Sequence, residues 1–470
     1  MASSEIAATR IRPLNDRGPA RGSYVLYWMQ QSQRAEMNHA LEYAVRRANA
    51  LGQPLLAAFG LMDGYPEASL RHYRFMLEGL VETAEALRRR GIRLAARRGD
   101  PDAVALALSR GASLVVCDRG YLRHQKAWRR NVAAGAGCEV VEVESDAIVP
   151  VDVASTKAEY AARTIRPKLH RNVDEYLVGL SPARLARGSL DLQVEGLDLT
   201  DLDALLARLA LDRSVFPIPL FRGGTSEAKR ILRRFIREEL PQYTVHRNRP
   251  ERDSVSHMSK YLHFGQISPI TVALAIRDAA GAPAEAREAY LEELLVRREL
   301  ALNFVRFTEH YDDFSCLPAW ARETLEKHRS DPRPRCYSRE QLEAAETHDP
   351  YWNAAMREMR DTGYLHNYMR MYWGKKILEW SRTPEEAYRT ALALNNRYLI
   401  DGRDPVSYAG VGWLFGLHDR PWTRRPIFGT IRFMSAAGLE RKADPAAYIE
   451  KVDRLVARCA GREPVDPSAD

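Results

Sequence analysis

The side chains best suited to chemistry in this chain fall between Asn367 and Trp380. On a helix, Asn367 and Met371 form an i,i+4 pair, Asn367 and Arg370 an i,i+3 pair, and Trp373 and Trp380 lie two turns apart. An amide, a cation, a thioether and two indoles are thereby gathered on related faces. A core helix with inward tryptophans is the plainer account of such a stripe. Arg370 argues against it, because a guanidinium leaving water needs an anionic partner.

A second concentration runs from Asp253 to Gly265, where Ser254, Ser256 and Ser259 cluster at a loop that enters a helix. Hydroxyls beside the free N–H groups of a helix start suit a diphosphate, and an N-cap run with spare serines is the alternative. A third candidate is Glu293, whose neighbour Glu292 points about 100° away on a helix and reads as a surface or supporting carboxylate. Taken alone, Glu293 is an exposed helix charge, Asn395 a helix-end residue, and Met371 or Trp413 core packing. The run Gly410 to Gly416 superficially resembles a dinucleotide fingerprint, but it follows no convincing strand and its spacing is wrong.

The elements that must hold these groups read as two kinds. In the first third, short β-rich runs (Tyr24 to Trp28, Pro54 to Phe59, Arg93 to Ala96, Leu114 to Cys117, Glu139 to Val143) alternate with amphipathic segments such as Met37 to Leu51 and Tyr73 to Arg90. That alternation predicts a doubly wound α/β domain on a parallel sheet over residues 23–150. Such sheets bind ligands outside the carboxyl ends of their strands, where strand order reverses. Residues 151–225 read as an interdomain connection, 226–462 as an all-α domain, and 1–22 and 463–470 as tails, the first disordered.

A length of 470 residues suits two domains, and 45% hydrophobic content a globular protein. Five cysteines without paired spacing imply neither a disulfide framework nor a zinc site. The formal charge of +8 favours a polyanionic partner, though solvated surface would also account for it. No apolar run approaches the roughly 20 residues of a spanning helix. The N-terminus lacks the order of a secretory signal, while its arginines and serines leave a transit peptide as an alternative.

Four motifs carry a resemblance that covers the chain after about residue 20: Tyr290 to Phe304, Leu394 to Tyr398, Asp401 to Pro405, and Gly416 to Trp422 running on to Met434. In this order they resemble the class II cyclobutane pyrimidine dimer photolyases of the photolyase and cryptochrome family. Tyr290, Arg424, Thr430 and Ser435 depart from the usual residues. The resemblance implies an α/β domain followed by an FAD- and DNA-binding helical domain. It implies a light-driven carbon–carbon lyase that repairs pyrimidine dimers by electron transfer from reduced FAD. A cryptochrome-type signalling flavoprotein is the alternative, although the C-terminus is short for an output tail.

By the same resemblance, Tyr243, Val255, Ser256, His257, Met258 and Ser259 hold the FAD phosphates and ribityl chain, with Asn367 and Asp404 also at the cofactor. Arg297 meets a flavin phosphate or faces the lesion. Arg370 and Asp401 are the ion pair beside the flavin ring, and Asn395 faces N5. Trp373, Trp352 and Trp380 are the electron chain from flavin to solvent, with Tyr337 a weaker terminal donor, and Val411 occupies the place of another class's proximal tryptophan. Glu293 bonds the dimer, and a donor role there requires a protonated carboxyl in a poorly solvated pocket. Met371 and Trp413 pack on the lesion, and Arg420 and Arg432 meet phosphates or the gap left by the extruded dimer. The N-terminal crevice near Trp28, Met29, Phe59 and Asp118 would take an antenna, 8-hydroxy-5-deazaflavin or a reduced folate. The partner is damaged DNA, the chain is expected to be a monomer, and its place the cytoplasm and nucleoid, or the nucleus in a eukaryote.

Overall fold

A computed structural model describes residues 5–461; the expected tail at 463–470 and residues 1–4 lie outside it. Six strands form one sheet in the order β1-β6-β5-β2-β3-β4. They are β1 (Ile11–Pro13), β2 (Tyr24–Trp28), β3 (Leu55–Leu61), β4 (Arg93–Arg98), β5 (Ala112–Asp118) and β6 (Glu139–Val143). Strands β2 to β6 pair in parallel, and β1 joins β6 antiparallel. The first α/β units cross over through α1 (His39–Ala50), α2 (Leu70–Arg89), α3 (Pro101–Ser109) and α4 (Arg123–Gly135). Every residue of β2, β3 and β5 is buried, as strands covered by helices on both faces must be, hence their continuous apolar runs.

The expectation of a disordered tail over 1–22 is corrected for its described part. Ile11 pairs with Val143 and Pro13 with Val141. Arg10 is buried and donates to the carbonyls of Glu144 (3.2 Å), Ala147 (3.0 Å) and Ile148 (2.6 Å). A three-residue edge strand ending in proline carries little local signal, and its partners belong to the last strand of the sheet, far along the chain.

Residues 151–225 contain the helices Val151–Ala154, Ala162–Tyr176 and Leu202–Arg208. The loop between the last two covers the open edge of β4, with Arg93 N–H on Ser189 Oγ (2.8 Å) and Leu197 N–H on the Ala96 carbonyl (2.6 Å). Beyond residue 225 the described chain is helical. Its largest core surrounds the helix Asn367–Trp380 and includes Trp352, Trp373, Tyr388 and Phe415.

A polar seam seats the helical part on the sheet. Arg34 donates to the Gly265 (2.9 Å) and Ser145 (2.8 Å) carbonyls, and Arg298 pairs with Asp146 at 3.0 Å. Burial pushes the Asp146 carboxyl up to about 6, against the pull of Arg298 and Arg34. Gly265 sits in the seam at φ +64°, where an added Cβ would lie 1.9 Å from the Gln31 carbonyl oxygen. Gly52 has the same φ with nothing within 4 Å. Gly52→Ala is therefore expected to cost about 1 kcal/mol of backbone strain, and Gly265→Ala about 2 kcal/mol more from overpacking. Calorimetric melting of the two variants checks this, and equal shifts would contradict the close approach.

Candidate active site

The helix Asn367–Trp380 begins at a His366 cap, whose Nδ1 accepts the Tyr368 N–H at 3.2 Å. Asn367 itself is exposed at the first turn. Three residues on, Arg370 turns inward and pairs with Asp401 at 3.3 Å. Burial alone would raise the Asp401 carboxyl, but Arg370, the Ser259 hydroxyl and Lys260 hold it below its ordinary range. The Arg370 Nε is buried without a hydrogen-bond partner.

Asn395 closes the helix Pro384–Tyr398, buried against the turn that carries Asp401 and Gly402. Its amide nitrogen donates to Ser407 Oγ and to Asn396 Oδ1 (3.1 Å), which fixes the amide orientation. Its oxygen is then left buried and unpartnered, as is the indole N–H of Trp373 on the neighbouring helix. Each of these orphaned polar atoms has room for one further hydrogen bond, which a polar ligand can supply.

The loop below them is built for polar contact. His257 adopts φ +54° just before the helix Met258–His263 and pairs with Asp253 at 3.1 Å. Ser259 is exposed, Val255 half-buried and Met258 buried. Ser256 Oγ accepts the Tyr290 hydroxyl at 2.8 Å, and Tyr290 packs on Tyr243 with ring centroids 5.4 Å apart. Burial drives the Lys260 ammonium down to about 7, although Asp401 and Asp253 raise it; its Nζ sits 3.7 Å from the Phe221 ring centre.

The three tryptophans are neighbours in one buried core. Trp352 and Trp373 are wholly buried, and Trp380 is 3% exposed. The Trp352 indole N–H donates to the Trp373 carbonyl at 2.9 Å, and the Trp352 and Trp380 rings meet edge-on at 5.6 Å. Tyr337 lies beyond, 5.4 Å from Trp380.

Glu293 differs from its expected setting. It lies on a π-helical turn, Glu292–Arg297, is 38% exposed at its side chain, and pairs with Arg247. The carboxylate is partly solvated and paired with a guanidinium, where a poorly solvated pocket was expected. Glu292 pairs with Arg166 at 2.7 Å and with Arg297 at 3.5 Å. Arg297 is 47% exposed. Asp404 caps the helix Pro405–Leu414 and pairs with His263 at 3.2 Å, which commits both of its oxygens and lines the N-terminal crevice with it.

Met371 is buried in the core with Trp373. Half-buried Trp413 has the Arg432 guanidinium 5.3 Å over its ring, and that guanidinium lies 4.2 Å over Trp422. Asp419 holds Arg432 at 3.0 Å, while exposed Arg420 covers Trp422 at 5.1 Å. Arg247 and Trp422 had no role assigned from sequence. Arg247 was findable as the i,i+4 neighbour of Tyr243 on one helix face, and Trp422 lies within the motif from Gly416 to Met434.

A crevice opens at the carboxyl ends of β2 and β3, lined by Met29, Gln30, Phe59, Tyr65, Trp128 and Arg403 among others. Asp118 is not a free ligand there. Its carboxylate accepts the N–H groups of Gln30, Gln31 and Ser32 and the Tyr27 hydroxyl, all within 3.0 Å. Trp28 is fully buried in the sheet.

A family model described as DNA photolyase matches residues 25–186. A protein of Methanothermobacter thermautotrophicus named deoxyribodipyrimidine photo-lyase is 49% identical over 96% of this chain and 99% of its own. One of the same name from Potorous tridactylus is 39% identical over 91% of this chain and 81% of its own. Among solved structures, a class III photolyase from Agrobacterium tumefaciens aligns with a TM-score of 0.68 at 18% identity, covering 94% of this chain and 87% of that one. An archaeal photolyase from Sulfolobus tokodaii with two FAD molecules also gives 0.68, at 17% identity, covering 94% and 95%. At such identities the structural likeness concerns the fold alone.

Removing Asp401's charge would leave Arg370 buried and uncompensated. Asp401→Asn is expected to cost about 3 kcal/mol, and Asp401→Leu with Arg370→Leu to recover part of it. Because the Asp401 carboxyl is depressed in the folded state, its stabilisation is complete above the ordinary carboxylate range and fades as pH falls through and below it. Melting curves across the acid range should therefore converge for wild type and Asp401→Asn at the lowest pH; a constant gap would contradict this.

Proposed function

Because this chain belongs to the DNA photolyase family, we propose that its site works in the class II manner, on cyclobutane pyrimidine dimers, through the residues described above. The chain is a light-driven DNA-repair enzyme, and the relatives that span it are deoxyribodipyrimidine photo-lyases. A signalling role without repair is not favoured by that kinship.

The observation that carries the reading is the sequestered Arg370–Asp401 pair, with a buried Asn395 whose side-chain oxygen and a buried Trp373 whose indole N–H both lack a hydrogen-bond partner. These donors and acceptors fit a flavin ring. When bound, reduced FAD supplies the light-absorbing electron donor. Arg370 stabilises negative charge on the ring where the dielectric is low, and Asp401 orients the guanidinium. Asn395, its amide locked by Ser407, offers an acceptor to a protonated ring nitrogen. Tyr243, Ser256, His257 and Ser259 supply polar contacts for the phosphate and sugar parts.

Trp373, Trp352 and Trp380, in that order from cofactor outward, relay an electron inward from the surface. On the DNA side, Trp413 and Met371 wall the lesion. Photolyases as a family extrude their target from the duplex, and an already unstacked dimer lowers the cost of that step. Arg420 and Arg432, splinted by Trp422 and Asp419, meet phosphates and offset the remainder. Glu293, held by Arg247, accepts or exchanges a hydrogen bond at a pyrimidine. The crevice at the carboxyl ends of β2 and β3 takes an antenna, a deazaflavin or a reduced folate. Among the described residues no helix is long and apolar enough to cross a membrane, and the chain acts as a monomer on DNA.

Reduced, purified protein is expected to restore an oligonucleotide carrying a thymine cyclobutane dimer only in light, and to leave a (6-4) photoproduct unchanged. Glu293→Ala should lower the repair yield about tenfold, the value of a hydrogen bond to a charged group. Trp373→Phe should slow photoreduction of the bound flavin by a larger factor. Repair of neither lesion by protein that holds flavin would refute the reading.

A further inference from the structure

The tryptophan path ends in a pair that none of its other members explains. The Tyr337 hydroxyl lies 2.7 Å from His348 Nδ1 and accepts the His348 backbone N–H at 3.1 Å. The two rings lie nearly parallel, 14° apart, and both face Trp380, at 5.4 and 5.3 Å. The Tyr337 N–H also bonds the Trp380 carbonyl at 3.3 Å, which ties the pair to the end of the helix. His348 is exposed, and it stands next to Asp349, the cap of the helix that carries Trp352.

We propose that His348 is the proton acceptor that makes Tyr337 the terminal electron donor of the tryptophan path. The inference rests on the electron-relay reading above. The proposed role uses the tautomer with its proton on Nε2, in which Nδ1 is free to accept the phenolic proton. Once Trp380 has been oxidised, Tyr337 gives it one electron and passes the phenolic proton to Nδ1. The products are neutral Trp380, a neutral tyrosyl radical and imidazolium at His348, so charge and atoms balance. The imidazolium, being exposed, releases its Nε2 proton to water.

Two features favour this direction. Oxidising a phenol without moving its proton leaves a strongly acidic cation, and a preformed bond of 2.7 Å removes that intermediate. Tyr337 and His348 both lie within 5.4 Å of the Trp380 ring, so donor and proton acceptor are already placed where the charge arrives. His348 is thus a positioning and proton-accepting residue that acts through Tyr337.

The test is flash excitation of the purified protein with its flavin bound and oxidised, radicals being followed by transient absorption and electron paramagnetic resonance in H2O and D2O. In the wild type a tryptophanyl signal should give way to a neutral tyrosyl radical, more slowly in D2O. Tyr337→Phe should abolish the tyrosyl signal. His348→Ala should slow its formation about 100-fold, the scale of a positioned proton acceptor, and added imidazole should restore it. A merely structural role would show neither the isotope effect nor the rescue. Unchanged tyrosyl formation in His348→Ala, or a wild type that shows tryptophanyl without tyrosyl, overturns the inference alone. Absence of any tryptophanyl signal overturns it together with the relay.

Discussion

A guanidinium taken out of water must find an anion, and the centre of the helical domain is arranged around that requirement. Arg370 and Asp401 come from different elements, so their pairing fixes how the helix Asn367–Trp380 meets the turn after Pro384–Tyr398. The same turn brings Asn395 into place. Its amide is oriented by Ser407, and its remaining acceptor is left facing inward with no protein group to satisfy it. Such a cost persists in a packed interior where something else completes the bond. In the proposed function the cofactor would complete it, and the trapped charge would hold an anionic ring.

The sheet domain contributes rigidity through a seam that is polar. Arg34, Arg298 and Asp146 meet there, and buried Glu299 accepts the N–H groups of Ile148 and Val149. Burial raises the Glu299 carboxyl to about 8, against Arg298 and those two N–H groups. Apolar surfaces slide at small cost, whereas each of these groups meets its partner in one geometry only. The crevice at the carboxyl ends of the strands and the site around Arg370 are thereby held in one frame, linked by the His263–Asp404 pair.

The two working surfaces obey different physics. The tryptophans are buried, so their energies depend on near neighbours such as the Lys376–Glu379 pair. The face that carries Trp413, Trp422, Arg420 and Arg432 is half open, and its ion pairs are screened by salt. Counterion release at phosphates governs affinity on such a surface. Arg432 is stacked between Trp413 and Trp422 and tied to Asp419, which keeps a long flexible side chain ready at little further entropic cost.

Much of this was legible without coordinates, because it depends on local pattern. Continuous apolar runs in β2, β3 and β5, the alternation with helices, and the i,i+3 and i,i+4 spacing around Arg370 are properties of neighbouring residues. The motifs likewise announced the family. Contacts between distant segments were not legible. Arg10 reaches the carbonyls of residues 144 to 148, and an edge strand stands where a loose tail was expected. Asp118 was expected near a ligand and instead closes a loop. Glu293, on a π turn, pairs with Arg247 and is partly solvated, and Tyr337 finds His348. Hydrophobic period and motif order determine the elements and the chemistry at hand. Which carboxylate meets which cation, and which polar atom is left waiting, was decided only by tertiary structure, because those pairings depend on chain segments that no local rule brings together.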